Sequence, residues 1–154
     1  MEHTLSVARL CDYMASAYPV IKRDMLITAA LLHDVGKTRE LSSFPLNDYT
    51  DEGQLLGHII IGAQMIHDLI KEIPDFPLDL ENQLVHCILA HHGELEYGSP
   101  KKPALAEAIA LSFADNSDAK LETMREALSN IPENSLEWQG FNRFLDSNIR
   151  RTSK

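Results

Sequence analysis

The stretch LLHDVGK, Leu31 to Lys37, sets a histidine and an aspartate side by side directly after an apolar run. Two good metal ligands at the end of an oily segment raise a specific question. Polar residues close helices for ordinary reasons, so the doublet carries weight only if the other histidines of the chain point to the same place. The phase of each histidine on its own helix answers that.

The surrounding pattern is helical almost throughout, with loops marked by Pro and Gly and no run of alternating β-branched residues. An all-α fold is expected, with helices over Thr4–Tyr18, Asp24–Asp34, Gly53–Ile73, Leu80–His91, Leu105–Leu128 and Ser135–Ile149. Asp24 is expected to cap the second helix, and Gly36 to close it in a left-handed conformation. The 154 residues suit one domain, 1–154, with a core over about residues 2–128 and a helical extension over 129–154. A chain this long buries roughly two-thirds of the surface exposed by its unfolded form.

Composition narrows the class further. Hydrophobic residues make up 44% and charged residues 24% of the chain, an ordinary globular balance. No apolar run approaches the ~18 residues of a membrane span, and MEHTLSVARLCDYM has no signal-peptide character. A cytoplasmic protein without membrane contact is expected. Cys11 and Cys87 lack CxxC spacing and read as core thiols. Fourteen basic against 23 acidic residues give a net charge of -9, which disfavours non-specific adhesion to nucleic acid. Two bound divalent cations would cancel four of those charges locally, so an anionic substrate stays admissible.

Successive helical residues turn by about 100°, so each of the seven histidines can be assigned a face. His3 heads a stripe with Val7, Leu10, Met14 and Ala17. His33 shares a face with Leu26, Ala29 and Ala30, and Asp34 follows it. His58 lies with Gly62, Met65, Ile66, Leu69 and Ile73, whereas His67, nine residues on, is turned by about 180° and is expected to be wet. His91 and His92 fall on the stripe of Leu84, Val85 and Ile88, with His86 opposite. Asp115 sits on the face of Ala108, Leu111 and Ala119. Five histidines and two aspartates on buried faces need a partner, because burying unpaired imidazoles and carboxylates costs several kcal/mol. A metal centre supplies one.

The order His3, His33-Asp34, His58, His91, His92, Asp115 resembles the HD-domain metal-dependent phosphohydrolases. The segments EHTLSVARL, LLHDVGK, LLGHI, HHGELEYGSPKKP and FADNSDAK are similar, more narrowly, to the HD domain of YhaM-type 3'-to-5' exoribonucleases, over about Glu2 to Leu128. The resemblance implies an HD-type helical bundle with one or two divalent ions. One would be held by His3, His33, Asp34 and Asp115, the other by Asp34, His58, His91 and His92, with Asp34 bridging. Mixed histidine and carboxylate ligation favours iron or manganese, with nickel, cobalt and magnesium also admitted. Paired metals lower the pKa of a water, aim the hydroxide at phosphorus and neutralise phosphoryl oxygens.

The implied activity is hydrolysis of a phosphoester in a nucleotide, cyclic nucleotide or short oligonucleotide, RNA or DNA. Two other readings share the ligand set: an HD-type di-iron oxygenase, and a non-catalytic metal- or nucleotide-binding module. The exoribonucleases of this type carry an OB-fold ahead of the HD domain, and this sequence starts two residues before His3, so strand binding by stacking is expected to be weak. Lys37 is the leading phosphate contact, against a solvated lysine after a helix end. Lys101 and Lys102 either guide an anion or are solvated surface. Tyr97 either stacks on a base or packs locally. Asp118 is a general acid, a partner of a ligand, or a surface carboxylate. Homo-oligomerisation stays open.

Overall fold

The computed structural model describes residues 2–153; Met1 and Lys154, the ends of the expected 1–154 domain, lie outside the described residues. Among the described residues the chain is all-α apart from one short hairpin and an isolated bridge between Leu41 and Tyr49. Its helices are α1 (Glu2–Ala17), α2 (Arg23–Leu32), α3 (Lys37–Glu40), α4 (Asp51–Ile70), α5 (Leu78–Leu89) and α6 (Ala106–Leu128), followed by β1 (Phe141–Asn142) and β2 (Ser147–Asn148). It divides into two compact units, Met1–Asp115 and Asn116–Lys154. Among the described residues no helix is long and apolar enough to cross a membrane.

The core of the first unit follows from helical periodicity. α1 contributes Val7, Ala8 and Cys11, and α2 contributes Met25, Leu26, Ala29 and Ala30, an i, i+1, i+4, i+5 face. Alanines on that face let the helices approach closely. Ile66 and Ile70 of α4, Leu84, Cys87 and Ile88 of α5, and Ala108, Ala110, Leu111 and Ala114 of α6 complete the cluster. Burying a Leu or Ile here stabilises the fold by about 1.5–3 kcal/mol each. The core face of α2 is thus Leu26, Ala29 and Ala30, whereas Leu31 is 53% exposed. The apolar run before the His-Asp doublet is only partly interior.

Four expectations need correction. Asp24 does not cap α2; its side chain is fully exposed, and the Lys22 N–H donates to Glu107 Oε1 at 2.6 Å instead. The buried Glu107 carboxylate meets the positive end of α2 from another helix. Gly36 is not left-handed, since its φ is -61°. It is glycine because a Cβ there would stand 2.0 Å from the His58 carbonyl oxygen and 2.7 Å from the Gly62 nitrogen. The helix expected over Leu80–His91 stops at Leu89, so His91 and His92 lie in the turn beyond α5.

The fourth correction concerns the end of the chain. Ser135–Ile149 is not a helix and the expected helical extension over 129–154 is absent: Phe141 pairs with Asn148 and Asn142 with Ser147 in an antiparallel hairpin. Asn142 Oδ1 accepts from the Phe144 and Leu145 N–H groups, both at 3.0 Å, and Asp146 takes φ 49°. These local side-chain bonds offer the backbone an alternative to helix. α3 falls between the expected helices Asp24–Asp34 and Gly53–Ile73; its four residues are too few to show a period.

Candidate metal centre

Four of the five helices that carry the site end or bend where its side chains enter. His3 projects from the first turn of α1, and Asp115 from α6. His33 is the C-cap of α2, and Asp34 follows. His58 follows Gly57, whose φ of 71° and ψ of 157° break α4 into two helical segments. A side chain at 57 would be strained in that conformation. His91 and His92 occupy the turn after α5. All seven residues belong to the first unit.

The rings form a chain: centroids lie 5.4 Å apart for His3–His33, 5.3 Å for His33–His91, 5.6 Å for His58–His91, 5.2 Å for His58–His92 and 4.4 Å for His91–His92. Asp34 lies among them. Its Oδ2 is 3.4 Å from His33 Nε2 and 3.9 Å from His3 Nε2, while its Oδ1 is 3.6 Å from His58 Nε2 and 3.9 Å from His91 Nε2. Asp115 Oδ1 stands 3.0 Å from His3 Nε2 and 3.8 Å from His33 Nε2. Two groups of donor atoms with metal-binding spacing result: His3, His33 and Asp115, and His58, His91 and His92, each group's atoms within 4.8 Å of one another.

The other ring nitrogen of four histidines is already held. Nδ1 of His33 meets the Ala30 carbonyl at 2.7 Å, Nδ1 of His91 the Ile88 carbonyl at 2.7 Å, and Nδ1 of His92 the Tyr97 carbonyl at 2.8 Å. Nδ1 of His58 meets Glu40 Oε1 at 3.1 Å. A nitrogen facing a carbonyl or carboxylate carries the proton, which leaves Nε2 as a bare lone pair in the neutral ring. Nε2 of His33, His58 and His91 are buried without a hydrogen-bond partner. An unsatisfied buried polar group costs about 1–3 kcal/mol. Three lone pairs aimed around one carboxylate fit divalent cations, which accept lone pairs and offset negative charge.

Burial and the neighbouring charges set the protonation of the cluster. Burial opposes ionisation of Asp34, but His33 and Lys37 override it and hold the carboxyl well below the usual carboxylate range. Burial pushes His33 down and Asp34 pushes it up, with a net rise; this is the same Asp34 interaction felt by the ring. Burial lowers His58. Burial, with His92 and His33 nearby, takes His91 down to about 3, so its Nε2 lone pair is available at neutral pH.

The remaining predicted site residues divide. Lys37 Nζ lies 2.6 Å from Asp34 Oδ2 with the side chain 46% exposed, at the rim of the cluster. Tyr97 is exposed, and its carbonyl rather than its ring touches His92. Lys102 pairs with Glu94 at 2.6 Å, and Lys101 is exposed beside it. Asp118 is half-buried on α6 in the second unit. His67 is exposed and pairs with Glu81, as its phase required, and His86 accepts from the Ala104 N–H at 2.9 Å. Glu40 escaped the sequence reading. It is a buried carboxylate on α3, within a stretch read as loop, and no periodicity marks it.

Comparison with known proteins bears on the same residues. No solved structure gives a significant match. The chain is similar to the 3'-5' exoribonuclease YhaM of Bacillus subtilis, at 43% identity over 131 residues, and to that of Shouchella clausii, at 42%; each match covers 84% of this chain. It spans about two-fifths of the length of those relatives, 41% and 40% respectively. The family model described as the HD domain matches residues 1–120, which include every histidine and aspartate of the cluster. The chain belongs to the HD-domain family.

Proposed function

We propose that the chain is the hydrolytic centre of a metal-dependent phosphodiesterase acting on nucleotide substrates, short RNA foremost. The observation that carries this reading is the set of three buried, unpartnered Nε2 atoms around the two oxygens of one ionised aspartate. The names of the relatives favour RNA over other phosphoesters.

His3, His33 and Asp115 would hold one divalent ion, and His58, His91 and His92 a second, with Asp34 shared between them. A carboxylate suits the shared post because its two oxygens can serve two cations, which a single imidazole cannot do. Such ions, when bound, supply Lewis acidity toward phosphoryl oxygens and an activated water. The protein's own part is geometric and electrostatic. The carbonyls of Ala30, Ile88 and Tyr97 fix three rings so that their lone pairs converge without reorganisation. Lys37 brings an ammonium to the exposed rim, where an incoming phosphate meets it. Lys101 and Lys102 on the exposed 98–103 segment and the exposed Tyr97 ring are proposed to guide the rest of a nucleotide.

The test is a panel of 5'-labelled oligoribonucleotides, cyclic nucleotides and nucleoside phosphates, incubated with metal-free protein plus manganese, iron, cobalt, nickel or magnesium. Metal-dependent release of mononucleotides from RNA, abolished in Asp34→Asn and His33→Ala, is expected. Absence of hydrolysis of every phosphoester with every metal would overturn the reading.

A further inference from the structure

The break in α4 and the buried carboxylate on α3 are parts of one device. Gly57 leaves the helix, so the segment from His58 to Ile70 begins afresh, and the N–H groups that open a helical segment need partners from outside it. Glu40 Oε1 accepts the His58 backbone N–H at 2.9 Å and also stands 3.1 Å from His58 Nδ1. A single oxygen therefore caps the new helix start and fixes the imidazole of its first residue. The carboxylate also meets the positive end of that segment, where negative charge is favoured.

Glu40 is itself held firmly. Its carbonyl accepts the Thr50 N–H at 2.9 Å and the Thr50 hydroxyl at 3.2 Å. A Cβ at Gly53 would come within 2.3 Å of that carbonyl oxygen, so α3 and the start of α4 touch backbone to backbone. Thr50 in turn caps α4 by accepting the Gly53 N–H at 2.9 Å. The contacts of the Glu40 carboxylate with the site fall on His58, a member of the donor group His58, His91 and His92.

We infer that Glu40 is the positioning residue for the ion held by His58, His91 and His92, and that its loss empties that position while the His3, His33 and Asp115 position stays filled. Pinning Nδ1 selects the tautomer that leaves Nε2 free, and pinning the backbone at the kink sets where the ring stands. The inference rests on the metal-centre reading proposed above. It extends that reading to a residue outside the predicted ligand set.

The experiment is titration of manganese into metal-free protein by calorimetry, with bound metal counted by mass spectrometry after desalting, for wild type, Glu40→Ala, Glu40→Gln and Ile70→Ala. Wild type takes up two ions. Glu40→Ala binds the second ion about 10–100-fold more weakly and retains one after desalting, the loss typical of removing a histidine's carboxylate partner. Glu40→Gln keeps an acceptor oxygen in place and retains both ions, with a weakening below about tenfold. Ile70→Ala opens a cavity in the core at the far end of α4 and melts earlier but binds both ions as wild type does, which separates positioning from general destabilisation. Wild-type uptake by Glu40→Ala, or an equal loss in Ile70→Ala, overturns the role of Glu40 and leaves the metal centre standing. Failure of wild type to take up any ion overturns the proposed function and this inference together.

Discussion

Gly36→Ala is the most informative single substitution in this fold, because it adds one methyl group at the point where the His-Asp turn meets α4. The new Cβ would stand 2.0 Å from the His58 carbonyl oxygen, 2.7 Å from the Gly62 nitrogen and 2.8 Å from the His58 carbonyl carbon. All three are backbone atoms, so no side chain can rotate out of the way. Ordinary contact requires the turn and α4 to separate by more than about 1 Å. The backbone at 36 is right-handed with φ -61°, so the cost comes from crowding and not from a forbidden conformation. Overpacking of this kind costs about 1–3 kcal/mol, and an all-backbone clash belongs at the upper end. For a domain of this size that is a fall of roughly 10 °C in Tm.

The same displacement carries His58 away from Asp34, and a misplacement of about 1 Å can reduce a catalytic rate some 100-fold. Gly62→Ala is the internal control, since its Cβ would meet nothing closer than the Gly36 nitrogen at 3.4 Å. Gly62 lies inside α4, where alanine gains about 0.5–1 kcal/mol in helix propensity. That substitution is expected to be neutral or stabilising. Thermal unfolding and RNA hydrolysis on the two variants decide the matter. A Gly36→Ala protein with unchanged Tm and activity, or a Gly62→Ala protein equally damaged, would refute the packing argument.

Three further outcomes can be checked. Cys11 and Cys87 are buried, and burial, with Asp115 near the first and Glu107 near the second, pushes both thiols from 9.0 up to about 12. Both should resist a thiol reagent at pH 8 in the native state and react on unfolding. Because their folded pKa is raised, the stability they contribute is complete below about pH 9 and is lost as pH climbs from 9 toward 12, at up to about 1.4 kcal/mol per pH unit for each thiol; a denaturant titration series at pH 8, 9 and 10 that stays flat would contradict this. Leu26→Ala opens the centre of the core on a fully buried side chain and should cost about 2–5 kcal/mol in chemical denaturation. Lys37→Met removes the rim ammonium beside Asp34 and should raise KM for RNA more than it lowers kcat, with metal content unchanged; a fall in kcat alone would place Lys37 elsewhere in the reaction.

What the sequence made legible, and what it hid, follows from how local each determinant is. The convergence of His3, His33 and His58 could be read from phase because a helix turns by a constant angle and its buried face is set by its own neighbours, whereas His91 enters from the turn beyond α5. The same logic set His67 outside, and the structure leaves it exposed. Asp24 misled because capping was judged along the chain, while the N–H at the start of α2 is met by Glu107, 85 residues away. Glu40 was hidden for the same reason: its partner, His58, lies 18 residues on, across a kink that no propensity announces. Gly36 was recognised as special, yet for conformation when the need is space. At the end of the chain, Phe141, Phe144 and Leu145 imitate helical spacing, but Asn142 binds the backbone of the last two and turns the segment into a hairpin.

The central claim is that Asp34 stands between two divalent ions. Crystals of the protein grown with manganese and measured at wavelengths on either side of the manganese edge test it directly. The account predicts two anomalous peaks in each chain, one among His3, His33 and Asp115 and one among His58, His91 and His92, with one oxygen of Asp34 facing each. Crystals that show no peak at either group of residues, or peaks that leave Asp34 uncoordinated, would contradict it.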